Sequence, residues 1–260
     1  MSSTSTPASR RVAHQVVTCA PIEDVFELAV NIEQANRYFT SHLHAELLER
    51  GTDGDLLERW VIQDNTVRSW RVRRTVRSDQ HTIEFAHAAP EAPVASMRGT
   101  WSFRTCEEGT VVRLEHVLEP TVGAPDAEID MIVADLHRNS GVQVNQLTRV
   151  AENHEDLKPT TVRCHEMNVL DVSEQVARKR ISDWFESGHW VSAELPCRVV
   201  AKWVGERDPR LGSVTASVSV AAHADGVLVT VEASVTVASA ATSIRAVERW
   251  LAGALKRSLL

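Results

Sequence analysis

The chain has 260 residues, of which 43% are hydrophobic and 24% charged, the composition of an ordinary globular protein with one large domain or two of roughly 100–150 residues. Its formal net charge of −7 argues against nucleic acid as the main partner. No stretch approaches the ~18 consecutive apolar residues of a membrane span, and the first residues carry no apolar signal segment. We therefore expect a cytoplasmic protein with no membrane partner.

The first half predicts a strand, short helices, a run of strands and one long helix. An expected disordered tail over 1–10 precedes an apolar strand and a helix that begins at Pro21, where the missing N–H costs nothing. A second short helical piece follows at 32–39. Over 45–118 apolar and polar residues alternate as in strands, in segments separated by turn signals. The spacing of apolar residues over 126–152 is typical of a long helix.

The second half repeats this order in a shorter form. A polar linker at 156–160 precedes a strand at 161–169, a helix, four more strands and a final helix at 241–257. The repetition indicates duplication of one α+β unit, with domains at 11–155 and 161–260. Because the second copy has fewer residues and strands, we expect it to be a reduced copy.

Sequence motifs for common cofactors and nucleophiles are missing. The four cysteines lie far apart with no CxxC pair, which excludes a zinc ribbon and a thioredoxin-type motif, and we expect reduced thiols. There is no P-loop, GxGxxG, GxSxG or HExxH. His42 and His44 are spaced as metal ligands, but two histidines without a third ligand in pattern make a poor site. We expect neither a metal nor a bound cofactor.

Several polar side chains fall on apolar strand faces, because side chains alternate across a strand. Arg74 shares a face with Trp70, while His87 and His116 lie on the apolar faces of two other strands. Taken singly, the arginine is explained by a salt bridge and each histidine by a hydrogen-bonded core position. Facing one concavity together, they are typical of an apolar pocket with a few convergent polar groups.

The long helix has a polar gap in its apolar stripe. The gap contains Asn139, Ser140 and Gln143. A gap of this kind indicates either a bend or the wall of a hydrated cavity. The cavity interpretation predicts that these groups look toward the sheet.

Five segments carry a resemblance across 11–155: APIEDVFELAVNIEQANRYF, SWRVRR, APVASMRGTWSF, RLEHVLE and LHRNS. In this order they resemble the N-terminal domain of bacterial di-domain polyketide aromatase/cyclases, members of the START-like (SRPBCC) helix-grip superfamily. The resemblance implies an α+β fold in which a curved antiparallel sheet surrounds a long C-terminal helix and a deep pocket. A shortened helix-grip-like domain would follow.

The resemblance also implies a reaction and its partners. The substrate would be a poly-β-ketone on an acyl carrier protein, in a type II pathway with an aromatic polyketide synthase and a ketoreductase. The enzyme would direct the first-ring aldol cyclisation and then dehydrate the product to an aromatic ring, without a cofactor. The second half has no equivalent of SWxxRR or GTW, and Arg198 and Trp203 are the nearest candidates.

Site residues are expected from the resemblance, from the strand and helix faces, and from the mechanism that the resemblance implies. Arg74 matches the pocket arginine that would stabilise an enolate. The base would be His116, His87 or an ordered water, and the proton donor Tyr38 or a histidine. Substrate contacts are expected from Trp70, Phe85, Met97, Trp101, Asn139, Ser140 and Phe39. Val72 stands where the family often has a polar residue.

Two other functions fit the same pattern. Helix-grip domains also carry lipids and other hydrophobic ligands without catalysis. A third possibility is a chaperone-like accessory subunit of a polyketide synthase, for which Arg74 would be dispensable.

Overall fold

The computed structural model describes residues 8–52, 54–153, 161–186, 189–204 and 211–237, with single positions at 245, 247 and 249. The expected linker at 156–160, residues 1–7 of the expected tail and almost all of the predicted final helix lie outside these residues. Within the described part of the chain, no helix is long and apolar enough to cross a membrane.

The first sheet has seven strands in the order β1-β7-β6-β5-β4-β3-β2. They are β1 Arg10–Thr18, β2 His42–Gly51, β3 Gly54–Gln63, β4 Thr66–Arg77, β5 Thr82–His87, β6 Val94–Cys106 and β7 Gly109–Pro120. Because β1 pairs antiparallel with β7, the first strand of this half of the chain lies beside its last strand. The strand predicted near residue 12 begins earlier, at Arg10, so this last residue of the expected tail is part of the sheet.

Three helices lie among the described residues of the first half of the chain. They are α1 Ile22–Val30, α2 Ala35–Tyr38 and α3 Asp126–Glu152, with 3-10 turns at Ile32–Gln34 and Ser78–Gln80. The bounds of α3 are those that the apolar periodicity predicted, whereas the single helical piece predicted at 32–39 is a 3-10 turn followed by one turn of α-helix. Buried residues of α3 complete the core below β1 and β7.

The second sheet has five antiparallel strands in the order β8-β12-β11-β10-β9. Its elements are β8 Thr161–Leu170, α4 Glu174–Glu186, β9 Trp190–Leu195, β10 Arg198–Trp203, β11 Leu211–His223 and β12 Gly226–Val237. The apolar stripe of α4 (Ala177, Ile181 and Phe185) packs on alternate residues of the sheet, such as Val199 and Ala201. Its first strand again pairs with its last, as the proposed duplication predicts.

The chain divides into two compact units. One comprises 1–33, 45–59 and 69–153, and the other 34–44, 60–68 and 154–260. In the second unit, Leu43 packs with Leu195 and Val200. The α+β class with antiparallel sheets and a long helix is confirmed, while the boundaries 11–155 and 161–260 stay a prediction about independent folding.

Candidate functional site

Four residues lie opposite one another on neighbouring strands of the first sheet. The register pairs Arg74 of β4 with Phe85 of β5, Phe85 with Gly99 of β6, and Gly99 with His116 of β7. Directly opposed residues point to the same side of a sheet. We call this side, which also carries the buried Val72, the inner face. Adjacent strands are ~4.8 Å apart, so the row extends over roughly 14 Å.

The absence of a side chain at Gly99 leaves room for the Phe85 ring within this row. A Cβ atom at Gly99 would meet the Phe85 ring and the carbonyl oxygen of Glu115, which lies 2.6 Å from that position. The Phe85 ring therefore lies across Gly99 and reaches His116, whose ring it meets edge-on with centroids 5.3 Å apart. The glycine of the GTW motif is thus explained by the close approach of an aromatic ring to the strand.

His116 joins the sheet to the long helix. Its side chain is buried, and its Nδ1 lies 3.2 Å from Oγ of Ser140 on α3. Burial, together with nearby positive charge that includes Arg59, lowers the pKa of His116 to about 4. The polar gap in the α3 stripe is therefore in contact with the inner face at Ser140, as the sequence indicated, and Asn139 beside it is half-buried.

His87 lies on the same face against Trp70. The two rings are stacked, with centroids 5.8 Å apart and an interplanar angle of 13°. Burial first, and then the charge of Arg59, lowers the pKa of His87 to about 4. At neutral pH both candidate bases are therefore uncharged imidazoles that can accept a proton.

The side chain of Arg74 is held by two protein acceptors. Its Nη1 donates to the carbonyl oxygen of Val30 at 2.6 Å, and its Nη2 lies 3.1 Å from Oδ2 of Asp55. The two side chains are 12% and 19% exposed, so water screens this ion pair weakly. The salt-bridge interpretation of Arg74 is therefore correct, and any contact with a substrate would be additional to it.

Sequence reasoning missed a second arginine of this site, Arg59 on β3. Burial and the neighbouring charge of Arg74 lower its pKa to about 10. Its charge in turn lowers the pKa values of His87 and His116, as expected if it lies near both. The signal was available, because alternation along β3 places Arg59 on the same side as the buried Leu57 and Val61.

A histidine pair on β1 and α3 was also missed. The rings of His14 and His137 have centroids 4.4 Å apart, and the His14 ring lies against Gly141, where a Cβ would be 3.2 Å from it. Burial lowers the pKa of His14, and His137 adds to this effect. The glycine after Ser140 therefore lets α3 approach β1 closely.

The remaining predicted residues fall into two groups. Met97 and Trp101 lie on the inner face, where Met97 is opposite Leu118 and the Trp101 ring is stacked 6.2 Å from Phe103. Tyr38 and Phe39 belong to the second compact unit. There Phe39 is buried and its ring centroid lies 5.3 Å from that of His42.

The arrangement combines fixed positive charge with neutral bases. Guanidinium groups carry a fixed positive charge, so a developing oxyanion would be stabilised beside Arg59 or Arg74. Neutral His87 and His116 can take a proton from carbon or from water. Aromatic rings line the same face, so a largely apolar molecule with several carbonyl oxygens matches its chemistry.

Comparison with known proteins identifies relatives of the first half. Residues 18–140 match the family described as polyketide cyclase/dehydrase and lipid transport. The chain is 30% identical over 151 residues to the bifunctional cyclase/dehydratase of the actinorhodin polyketide synthase of Streptomyces coelicolor, which covers 58% of this chain and 47% of that protein. The corresponding granaticin protein of Streptomyces violaceoruber is 29% identical over 148 residues, or 56% and 45% of the two chains.

The chain thus spans about half the length of the curated relatives it matches. The resemblance seen in the sequence is confirmed: the first half of the chain is similar to the bifunctional cyclase/dehydratases of aromatic polyketide synthases.

Solved structures establish the fold over nearly the whole chain. The di-domain aromatase/cyclase BexL of the BE-7585A pathway superposes with a TM-score of 0.73 at 18% identity, covering 95% of this chain and 94% of that one. StfQ of the steffimycin pathway gives 0.66 at 19% identity, covering 96% and 94%. The ZhuI aromatase/cyclase from Streptomyces sp. R1128 gives 0.52 at 23% identity over 57% of this chain and 96% of its own.

Proposed function

Because residues 18–140 match polyketide cyclases and dehydrases, we propose that this chain is an aromatase/cyclase of an aromatic polyketide pathway. Its substrate is a poly-β-ketone thioester on an acyl carrier protein, supplied by a polyketide synthase with a ketoreductase. The reaction is the first-ring aldol cyclisation, followed by dehydration to an aromatic ring. The observation that carries the proposal is the pair of neutral histidines, buried His116 and half-buried His87, beside two half-buried arginines on one aromatic face.

The first task of the site is to fold the polyketone. Rings at Trp70, Phe85 and Trp101, with the flexible side chain of Met97, provide apolar surface along the inner face. Holding two carbons of the chain in near-attack geometry selects a conformation that the free chain rarely adopts, which lowers the activation barrier by several kcal/mol.

The aldol step needs a base and an electrophilic partner. His116, or His87, takes a proton from a methylene between two carbonyls, and the guanidinium of Arg74 or Arg59 stabilises the enolate oxygen. The enolate carbon attacks a second carbonyl carbon, a carbon–carbon bond forms, and the resulting alkoxide takes up a proton. Contacts of His116 with Ser140 and Phe85 fix its ring for this task.

Dehydration follows on the same ring. A second proton leaves the carbon next to the new hydroxyl, that hydroxyl takes a proton and leaves as water, and a double bond forms. The proton donor is the imidazolium produced in the preceding step or Tyr38. The contacts of Tyr38 and Phe39 with the arriving polyketide chain rest on the resemblance alone. Asn139 and Ser140 provide polar contacts from α3.

The test is product analysis from a reconstituted aromatic polyketide synthase and ketoreductase, with and without this protein. We expect the mixture of mis-cyclised shunt products to be redirected into a single first-ring aromatic product. If the protein binds a hydrophobic ligand stoichiometrically and leaves the products of several chain lengths unchanged, the proposal is wrong and a carrier function takes its place.

A further inference from the structure

Lys202 of β10 is fully buried, at 0% exposure, and its ammonium group contacts three backbone carbonyl oxygens. The acceptors are Asn36 at 2.8 Å, Phe39 at 2.5 Å and His42 at 2.9 Å. An ammonium group has three N–H donors, so this geometry satisfies all of them. Burial of a charge is costly unless it is fully hydrogen-bonded, and here it is.

Two further side chains of the second sheet bind the same short segment. Oγ of Ser213 on β11 donates to the carbonyl oxygen of Asn36 at 2.9 Å, and Oγ1 of Thr236 on β12 donates to that of Arg37 at 3.3 Å. Four carbonyls between residues 36 and 42 therefore accept hydrogen bonds from three neighbouring strands. All the atoms involved belong to one compact unit of the chain.

Removal of the Lys202 ammonium group is expected to be costly, even though an apolar side chain of similar size would fit at this position. A methionine at position 202 would fill much of the space of the lysine, but it would remove one charged donor from each of the three carbonyls. The Asn36 carbonyl would keep only Ser213 and the Phe39 carbonyl only the backbone N–H of His42. Apolar side chains already cover the neighbouring surface, where Leu43 packs with Leu195 and Val200. The second sheet does not need a cation for its own core, since its other face packs on α4. The structural effect of the Lys202 ammonium group is therefore on the segment 36–42, whose carbonyl oxygens it binds.

We propose that Lys202 is a positioning residue: it fixes the conformation of the segment 36–42, and thereby the side chains of Tyr38 and Phe39. The effect on catalysis rests on the proposed function, in which these two residues contact the arriving chain. The effect on conformation does not. The second sheet then contributes to the reaction through this segment.

The conformational test uses the single tyrosine of the protein, Tyr38. With 3-fluorotyrosine incorporated, the full chain gives one fluorine NMR signal, which reports directly on the segment. We expect Lys202→Met to shift or broaden this signal and to accelerate amide exchange over 36–44 by about tenfold or more, because three hydrogen bonds to a charged donor are lost. Lys179→Met is the control, since Lys179 is exposed on α4 and pairs only with Asp183 among the described residues.

The second arm measures products in the reconstituted synthase. A folded Lys202→Met protein should yield a smaller ratio of first-ring aromatic product to shunt products than Lys179→Met. If Lys202→Met does not fold, Ser213→Ala with Thr236→Val should give a weaker change of the same kind. An unchanged fluorine signal and unchanged exchange would overturn the proposal. If the segment is altered but the product ratio is unchanged, the catalytic role of Lys202 is wrong and the proposed function still stands. If the wild type is inactive, the proposed function is wrong and the conformational role of Lys202 still stands.

Discussion

His87 and His116 owe their chemistry to their surroundings more than to their positions in the sequence. His116 is buried and His87 half-buried near the charge of Arg59, and the pKa of each falls to about 4. Strand alternation predicted that both histidines lie on apolar strand faces, and it predicted the same for Arg74. It did not reveal the influence of Arg59, because that depends on which distant strands pair and on how deeply the guanidinium is buried.

Stability should decrease on acidification. Between about pH 6.5 and pH 4 the unfolded chain takes up protons that the folded histidines do not accept, so the free energy of unfolding is highest above pH 6.5 and falls as the pH falls toward 4. The loss is on the order of 1–3 kcal/mol per histidine. Urea unfolding at several pH values measures it.

The dependence should be weaker in His116→Asn, which removes one of the two groups. His165→Asn, at an exposed position of β8, is the control and should show the wild-type slope. A stability that does not change between about pH 6.5 and 4 would contradict the burial of the two histidines.

The ion pair of Arg74 predicts a second effect on stability. Asp55→Asn should lower the free energy of unfolding by about 1–3 kcal/mol, because it leaves a largely buried guanidinium without its countercharge. The matched change is Glu49→Gln, whose exposed carboxylate lies 3.7 Å from the exposed Arg73 and should contribute little. Equal effects of the two substitutions would show that the Arg74 pair is not a buried one.

Elements were predicted well where apolar periodicity is strong. The bounds of α3 follow from its apolar stripe, and the gap in that stripe has a physical explanation: Ser140 binds His116, and Gly141 admits the ring of His14. The binding of the segment 36–42 by the second sheet was not predicted. A lysine in a strand is ordinarily solvated, so the sequence around Lys202 gave no sign that it reaches carbonyls more than 150 residues away.

The close packing of β5 on β6 makes Gly99 sensitive to substitution. Gly99→Ala would place a methyl group against the Phe85 ring and the backbone oxygen of Glu115 on β7, so β6, β7 or the ring must move. We expect a loss of roughly 1–3 kcal/mol in the free energy of unfolding, measured by urea titration. Thr100→Ala, one residue further and on the opposite side of β6, should cost less. Wild-type stability of Gly99→Ala would mean that Phe85 does not lie across the strand.

At the scale of the whole molecule, the two halves repeat one order of elements, but their sheets carry different kinds of side chains. The inner face of the first sheet carries the arginines and histidines, whereas the second sheet has a core packed on α4 and a polar face that binds the segment 36–42. Composition and repetition predicted both sheets. The assignment of 34–44 and 60–68 to the second unit was not accessible, because it depends on contacts between parts of the chain that are remote in sequence.

The shared core of the second unit predicts the behaviour of a shortened chain. Residues 1–155 alone would lose the partners of Leu43 and the donors to the carbonyls of 36, 39 and 42. We expect increased binding of a hydrophobic dye and a lower unfolding temperature than in the full chain. A shortened chain as stable as the full protein would contradict this role of the second sheet. A well-folded shortened chain that has lost activity would also exclude a merely supporting role.

The central claim is that the charged inner face of the first sheet performs the cyclisation. Neighbouring arginines of β4 allow the most direct test: Arg74→Met on the inner face and Arg73→Met on the exposed one, compared by product analysis in the reconstituted synthase. We expect Arg74→Met to abolish the first-ring aromatic product and Arg73→Met to retain it. Asp55→Asn, assayed while folded, separates loss of the ion pair from loss of the guanidinium and should remain active. Full activity of folded Arg74→Met would contradict the account.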